Sequence, residues 1–206
     1  MLLVFLFKEK AKIVSKIYVT SDTHFLHKNI CGPTLSSWKE GYRNFDSLES
    51  MEDCLVDGIN SHVQREDTLI HNGDVCMGQA NIHWPRIRER INCRNIILCL
   101  GNHDDKITKN KLEYTFSAVY SHYEFRYKGI LVVCNHYPLT IWNEVGRGAI
   151  MLYGHVHGNY VAEGRSMDVG VDTNNYIPYS LDEILEKMTE RKIVIRDHHN
   201  EKTSYH

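Results

Sequence analysis

Ile96-Ile97-Leu98-Cys99-Leu100 runs straight into Gly101-Asn102-His103-Asp104. A short apolar, partly β-branched run of this kind is a buried strand, and the polar residues after it mark the strand end. The same pattern recurs four times. Ile17-Tyr18-Val19-Thr20 leads into Ser21-Asp22-Thr23-His24, and Thr68-Leu69-Ile70 into His71-Asn72-Gly73-Asp74. Ile130-Leu131-Val132-Val133-Cys134 leads into Asn135-His136, and Ile150-Met151-Leu152-Tyr153 into Gly154-His155-Val156-His157.

Helical patterns lie between these runs. Asp46 and Glu49 have capping-box spacing, and Leu48, Met51, Leu55, Ile59 and Val63 then recur every three or four residues. A shorter helix is predicted over 82–91, with Pro85 acceptable only in its first turn. A third covers 181–188, with Ser180 as N-cap and Glu183 three residues on. Lys128-Gly129 between two apolar runs reads as a hairpin, so the second half is partly antiparallel. Strands alternating with helices give an α/β fold. Val169-Gly170-Val171-Asp172 reads as a structural strand, as does Ile193-Val194-Ile195.

The 206 residues carry 24 Lys+Arg against 26 Asp+Glu, a formal net charge of −2. Such a balance argues against a protein that coats nucleic acid through a basic surface. Neither repeats nor low-complexity linkers divide the chain, so 15–206 reads as one domain. Residues 1–14 read as an extension or an extra strand. Lys8, Glu9 and Lys10 break the apolar start, which fits neither a membrane span nor a signal peptide. The six cysteines include no C-x-x-C pair and read as reduced thiols of a cytoplasmic protein. The 13 histidines are a surplus that points to a metal site.

In open α/β sheets, ligands bind beyond the carboxyl ends of the strands. The five ends here carry Asp22, His24, Asp74, Asn102, His103, Asp104, His136, His155 and His157. That is too many for one tetrahedral zinc and suits two metals about 3.5–4 Å apart sharing a carboxylate. Mixed histidine and carboxylate donors favour Mn, Fe, Zn or Co over Ca.

Asp22-x-His24, Gly73-Asp74, Gly101-Asn102-His103-Asp104, Asn135-His136 and Gly154-His155-x-His157 resemble, in order, the motifs of the calcineurin-like metallophosphoesterases. The match is nearest to a small single-domain bacterial and phage-type branch. Asp22-Thr23-His24-Phe25-Leu26-His27, Trp142-Asn143 and Val169-Gly170-Val171-Asp172 carry that likeness. The chain departs from the pattern at Leu26, where glycine is usual, and at Asn72, where leucine commonly stands. The resemblance implies a four-layer α/β/β/α sandwich of mixed sheets with its active site at the C-terminal strand ends. It implies that Asp22, His24 and His157 hold one metal, that Asn102, His136 and His155 hold the other, and that Asp74 bridges them. The cofactor expected is a pair of divalent transition-metal ions, Mn first, with Fe, Zn, Co and Ni as alternatives. His103 would act on the leaving group or a phosphoryl oxygen, with Asp104 holding its ring.

Protein Ser/Thr phosphatases of this superfamily are excluded, because Val75-Cys76-Met77-Gly78 follows the second motif and Gly154-His155-Val156-His157 is the last. The expected activity is hydrolysis of phosphodiester or phosphomonoester bonds in a small, nucleotide-like substrate, with no membrane partner. A nuclease acting on nucleic-acid ends is less favoured; Lys106, Lys109 and Lys111 are the basic residues near a motif. A catalytically silent scaffold would show gaps among the ligands, and the sequence has none. His27 is a candidate for the pocket, and Arg43 and Arg147 are candidate phosphate ligands. His62, His71, His83, His122, His198, His199 and His206 read as surface or core residues.

Overall fold

The computed structural model describes residues 15–195. The segment 1–14 and His198, His199 and His206 lie outside the described residues. All five apolar runs form strands. In the first sheet, β1 (Ile17–Thr20), β2 (Thr68–His71), β3 (Asn95–Cys99) and β4 (Ala118–Tyr120) pair in parallel in that order. The second sheet runs β5 (Tyr123–Tyr127), β6 (Ile130–Cys134), β7 (Ile150–Tyr153) and β8 (Ser166–Asp168), with only β5 and β6 antiparallel. Lys128 and Gly129 at their turn have φ of 49° and 83°. Both values suit a two-residue hairpin loop whose central residues take positive φ. Finally β9 (Tyr179–Ser180) adds antiparallel to β1.

Alternation along the strands sets the layers, since successive side chains point to opposite faces. Beyond the short α1 (Lys28–Cys31), Tyr18 and Leu69 face helices α2 (Leu48–His62) and α3 (Ala80–Arg90), meeting Met51, Leu55, Trp84 and Ile87. Val19 and Ile70 face the second sheet and pack on Val132, Cys134, Ile150 and Leu152. Leu181, Ile184 and Met188 of the C-terminal helix (Leu181–Thr189) join this middle layer. Leu131, Val133, Met151 and Tyr153 turn outward, covered by Trp142, Val145 and Ala162. A 3-10 turn, Val145–Arg147, is the regular structure over this outer face among the described residues. The result is an α/β sandwich of two mixed sheets, as the family resemblance implied. Among the described residues no helix is long and apolar enough to cross a membrane.

Local expectations needed four corrections. The cap of α2 is Ser47 with Ser50, not Asp46 with Glu49. The helix starts one residue later, so Ser50 occupies the third position, from which a side chain reaches back to the cap. Helix α3 starts at Ala80, which puts Pro85 in its second turn. Pro85 leaves the carbonyl four residues earlier without its helical partner. Trp84 anchors that turn: its Nε1 donates to Thr115 at 2.9 Å and its ring stacks on Phe116. Residues 193–195 form no strand, and Val171–Thr173 is a 3-10 turn rather than part of one. Six cysteines are free thiols, five of them buried.

Candidate metal centre

Each candidate ligand sits two to four residues past a strand end, and the loops lock to one another through the backbone. Asp22 N–H donates to Gly73 O and His24 N–H to Asp74 O, at 2.9 and 3.0 Å. The second sheet is tied in by Gly154 N–H to His136 O and by His155 N–H to the Asp22 carboxylate, both at 2.9 Å. Glycines in these loops are required by close approach. A Cβ on Gly101 would lie 2.3 Å from Asp74 Oδ1, and one on Gly154 would lie 2.3 Å from Asp22 Oδ2.

Five of the seven expected ligands also adopt left-handed backbone conformations. Asp22, His24, Asp74, His155 and His157 have φ between 48° and 71°. Such conformations cost on the order of 1–3 kcal/mol each and persist only where neighbouring structure imposes them. The loops therefore favour ligand placement over local stability.

Two donor groups result. Asp22, His24 and His157 form one, and Asp74, His136 and His155 the other, with ligand atoms within 4.8 Å inside each group. Asp74 Oδ2 lies 3.3 Å from His136 Nε2 and 3.7 Å from His24 Nε2, so one oxygen faces both groups. Asn102 Oδ1 stands 3.0 Å from His136 Nε2, beside the second group. His24 Nε2 is buried and makes no hydrogen bond. An orphaned imidazole nitrogen facing two carboxylates suits a cation, and the mixed N/O donor set suits a divalent transition metal.

The outer nitrogens of two ligands are fixed. His136 Nδ1 donates to Asn72 O at 3.0 Å, and His157 Nδ1 to Asp172 Oδ2 at 2.6 Å. Each bond leaves the Nε2 lone pair directed into the cluster. Burial would lower the basicity of both rings, but Asp74 beside His136 and Asp172 beside His157 raise it above the ordinary value. His24 lies well below, chiefly because it is buried. Burial pushes the Asp22 carboxyl up to about 6 against the pull of His157 and His136.

Asp104 corrects an expectation. Its buried carboxylate accepts from Asp74 N–H and Val75 N–H at 2.9 Å and from Gly101 N–H at 2.8 Å. Both oxygens clamp the second loop to the third, so Asp104 does not hold the His103 ring. The backbone N–H of His103 donates to Asp74 Oδ1 at 2.8 Å, and its ring stands 5.7 Å from that of His24 at the cleft wall. His27 is in the cleft as well, its Nδ1 3.2 Å from His24 Nδ1.

Arg43 is not free to bind phosphate. Its guanidinium forms a bidentate pair with Asp172 at 2.7 and 2.8 Å and donates to the carbonyls of Thr23 and Asp22. Arg147 is exposed on its 3-10 turn and does not line the cleft. Lys106, Lys109 and Lys111 do not line the cleft either. The sequence reading missed Asp172 as the residue orienting His157. The signal was present: Val169-Gly170-Val171-Asp172 is a sixth apolar run ending in a metal-competent side chain. In sequence Asn72 is only a departure from the family pattern. Its buried amide donates to Asn135 O and Leu152 O, both at 2.8 Å, and so joins the two sheets beneath the site.

The cleft over the cluster has a volume of about 580 Å³. An uncharacterized protein of Methanocaldococcus jannaschii, MJ1445, is 29% identical over 188 residues, which span 87% of this chain and 94% of that protein. The crystal structure of a protein of unknown function from Aquifex aeolicus, AQ665, matches with a TM-score of 0.64 and 25% identity. That match covers 84% of this chain and all of the other. The model of the calcineurin-like phosphoesterases matches residues 15–206. With that span covered, the chain belongs to the calcineurin-like phosphoesterase family.

Proposed function

We propose that the protein hydrolyses phosphodiester or phosphomonoester bonds of a small substrate, nucleotides included, with two divalent transition-metal ions. Mn is the first candidate, and Fe, Zn, Co and Ni are alternatives. The observation that carries this is the pair of donor groups sharing Asp74 Oδ2, with His24 Nε2 buried and unpartnered between two carboxylates. Asp22, His24 and His157 would hold one ion, and Asn102, His136 and His155 the other. When bound, such a pair supplies Lewis acidity towards a phosphoryl oxygen and makes water a stronger acid.

The chain's own residues do the rest. Asp172 and Asn72 hold protons on the outer nitrogens of His157 and His136, which keeps the inner nitrogens as donors. His103, on the cleft wall, passes a ring proton to the departing oxygen. Asp104 keeps the Asp74 and Gly101 loops in register.

Metal-free protein is to be loaded separately with Mn, Fe(II), Zn, Co, Ni and Mg, then assayed on a phosphoester panel with elemental analysis in parallel. Two equivalents and activity are expected with at least one transition metal. One equivalent or fewer at saturation would overturn the dinuclear reading, and no hydrolysis with any ion would overturn the enzyme.

A further inference from the structure

The three tryptophans differ sharply. Trp84 and Trp142 are 2% and 6% exposed, whereas Trp38 is 44% exposed and lines the cleft. Its loop is pinned at both ends. Ser37 N–H and Oγ donate to Asn29 Oδ1 at 3.0 and 3.1 Å, and Trp38 N–H donates to Ser36 Oγ at 2.9 Å. Beyond it, Arg43 N–H donates to Ile30 O at 2.7 Å. The indole is thus presented by a fixed loop.

Its position relative to the ligands is also defined. Trp38 meets His27 edge-to-face, with centroids 5.5 Å apart at 88°. His27 in turn lies 5.1 Å from the ring of His24, a ligand of the first group. His27 is the only ring that Trp38 meets among the described residues, which leaves indole surface open to the cleft. Tyr176 lines the cleft too, held by Phe45 at 5.2 Å and by the Arg43 guanidinium at 5.8 Å. Ile30 and Met77 add apolar lining. The charged groups of the lining, Asp74, Asp172 and Arg43, already have partners, so the part of the cleft beyond the ligands offers aromatic and apolar contact rather than charge.

We propose that Trp38 stacks on a planar aromatic group of the substrate, which makes nucleoside phosphoesters the preferred substrate class. This rests on the phosphoesterase reading above. The phosphoryl group would sit over the ligand cluster, and the sugar would span the two ring-to-ring steps to the indole. A base stacks on an aromatic side chain through its π face, so this contact tolerates any of the common bases.

Two measurements test the proposal and separate its failure from that of the phosphoesterase reading. The first titrates adenosine 5′-monophosphate against ribose 5-phosphate and follows tryptophan emission in metal-free and ion-loaded protein. Quenching by the nucleotide alone is expected, and Trp38→Phe should abolish it because the remaining indoles are buried. Equal quenching by ribose 5-phosphate, quenching that persists in Trp38→Phe, or no quenching at all would overturn the stack. The second compares thymidine 5′-(p-nitrophenyl phosphate) with ethyl p-nitrophenyl phosphate, which share a leaving group. Trp38→Ala should lower kcat/KM for the thymidine ester about tenfold more than for the ethyl ester, mainly through KM, and Trp38→Phe should recover part of the loss. An equal loss on both esters would overturn the proposal. Nucleotide-specific quenching without cleavage of either ester would retain the aromatic site and refute the phosphoesterase.

Discussion

Arg43→Met removes the guanidinium that ties Asp172 to the first ligand loop. The Arg43 side chain is 3% exposed and that of Asp172 is 17%, so water replaces little of what is lost. Removing one partner of such a buried pair costs about 3–5 kcal/mol in fully buried cases. The partial exposure of Asp172 places this one near the lower end, at about 3 kcal/mol. Burial raises the Asp172 carboxyl, but His157 and Arg43 outweigh it and hold it below the usual carboxylate range. Without Arg43, the carboxylate has His157 as its remaining side-chain partner, and the Thr23 and Asp22 carbonyls lose a donor. Urea unfolding of the metal-free protein reads the stability. The double variant Arg43→Met with Asp172→Asn should be less destabilised than the two single losses added together, because the residues share one network. His157 would also be less well oriented, so metal affinity should fall about 10–100-fold. A stability change within about 0.5 kcal/mol would refute the clamp, since that is the range of ordinary surface substitutions. So would a variant with full stability and metal content whose only defect is a raised KM, since Arg43 would then be a substrate ligand.

His103→Ala should keep both ions by elemental analysis yet lose about 10²–10⁴-fold in turnover on an alkyl phosphodiester, with a smaller loss on an aryl one. Asp104→Ala should act on the fold: three N–H groups, two of them buried, lose their acceptor, so unfolding free energy should drop by several kcal/mol, at roughly 1–3 kcal/mol per orphaned buried group. A soluble Asp104→Ala with unchanged urea midpoint would contradict that role. The His136–Asp74 contact raises His136 above its unfolded value, despite the opposing effect of burial. Its stabilisation is therefore complete below an unfolded pKa of about 6.5 and is lost as pH rises through the higher folded value. The stability difference between metal-free wild type and His136→Gln should shrink from pH 6 to pH 8, and a difference that grows would show the sign to be wrong. Over the same interval metal affinity should rise, because protons then compete less for the ring.

The strand-and-ligand pattern was legible because its cause is local. An apolar run of three to five residues followed closely by Asp, His or Asn has little choice but to be a strand with its chemistry at the end. The glycines beside Asp74, Asn102 and His155 were visible too, although the reason for two of the close approaches lies in carboxylates 27 and 132 positions away. Residues whose function depends on a distant partner were harder. Asp104 stands next to His103, and the family resemblance implied that it held that ring; the fold instead turns its carboxylate onto the loop that bears Asp74. Arg43 and Asp172 are 129 positions apart, and neither reveals in sequence that the other exists. The same holds for Asn72, whose amide is committed to carbonyls 63 and 80 positions on. Charge and hydrogen-bonding capacity are written in the residue type, but where they are spent is decided by loop geometry. That geometry is set here by left-handed backbone at five ligands, imposed by the interlocked loops rather than by the residues alone. Loosening any one of these locks should therefore disturb several ligands together, which is why variants of Arg43 and Asp104 are expected to alter metal binding or folding before they alter the chemical step.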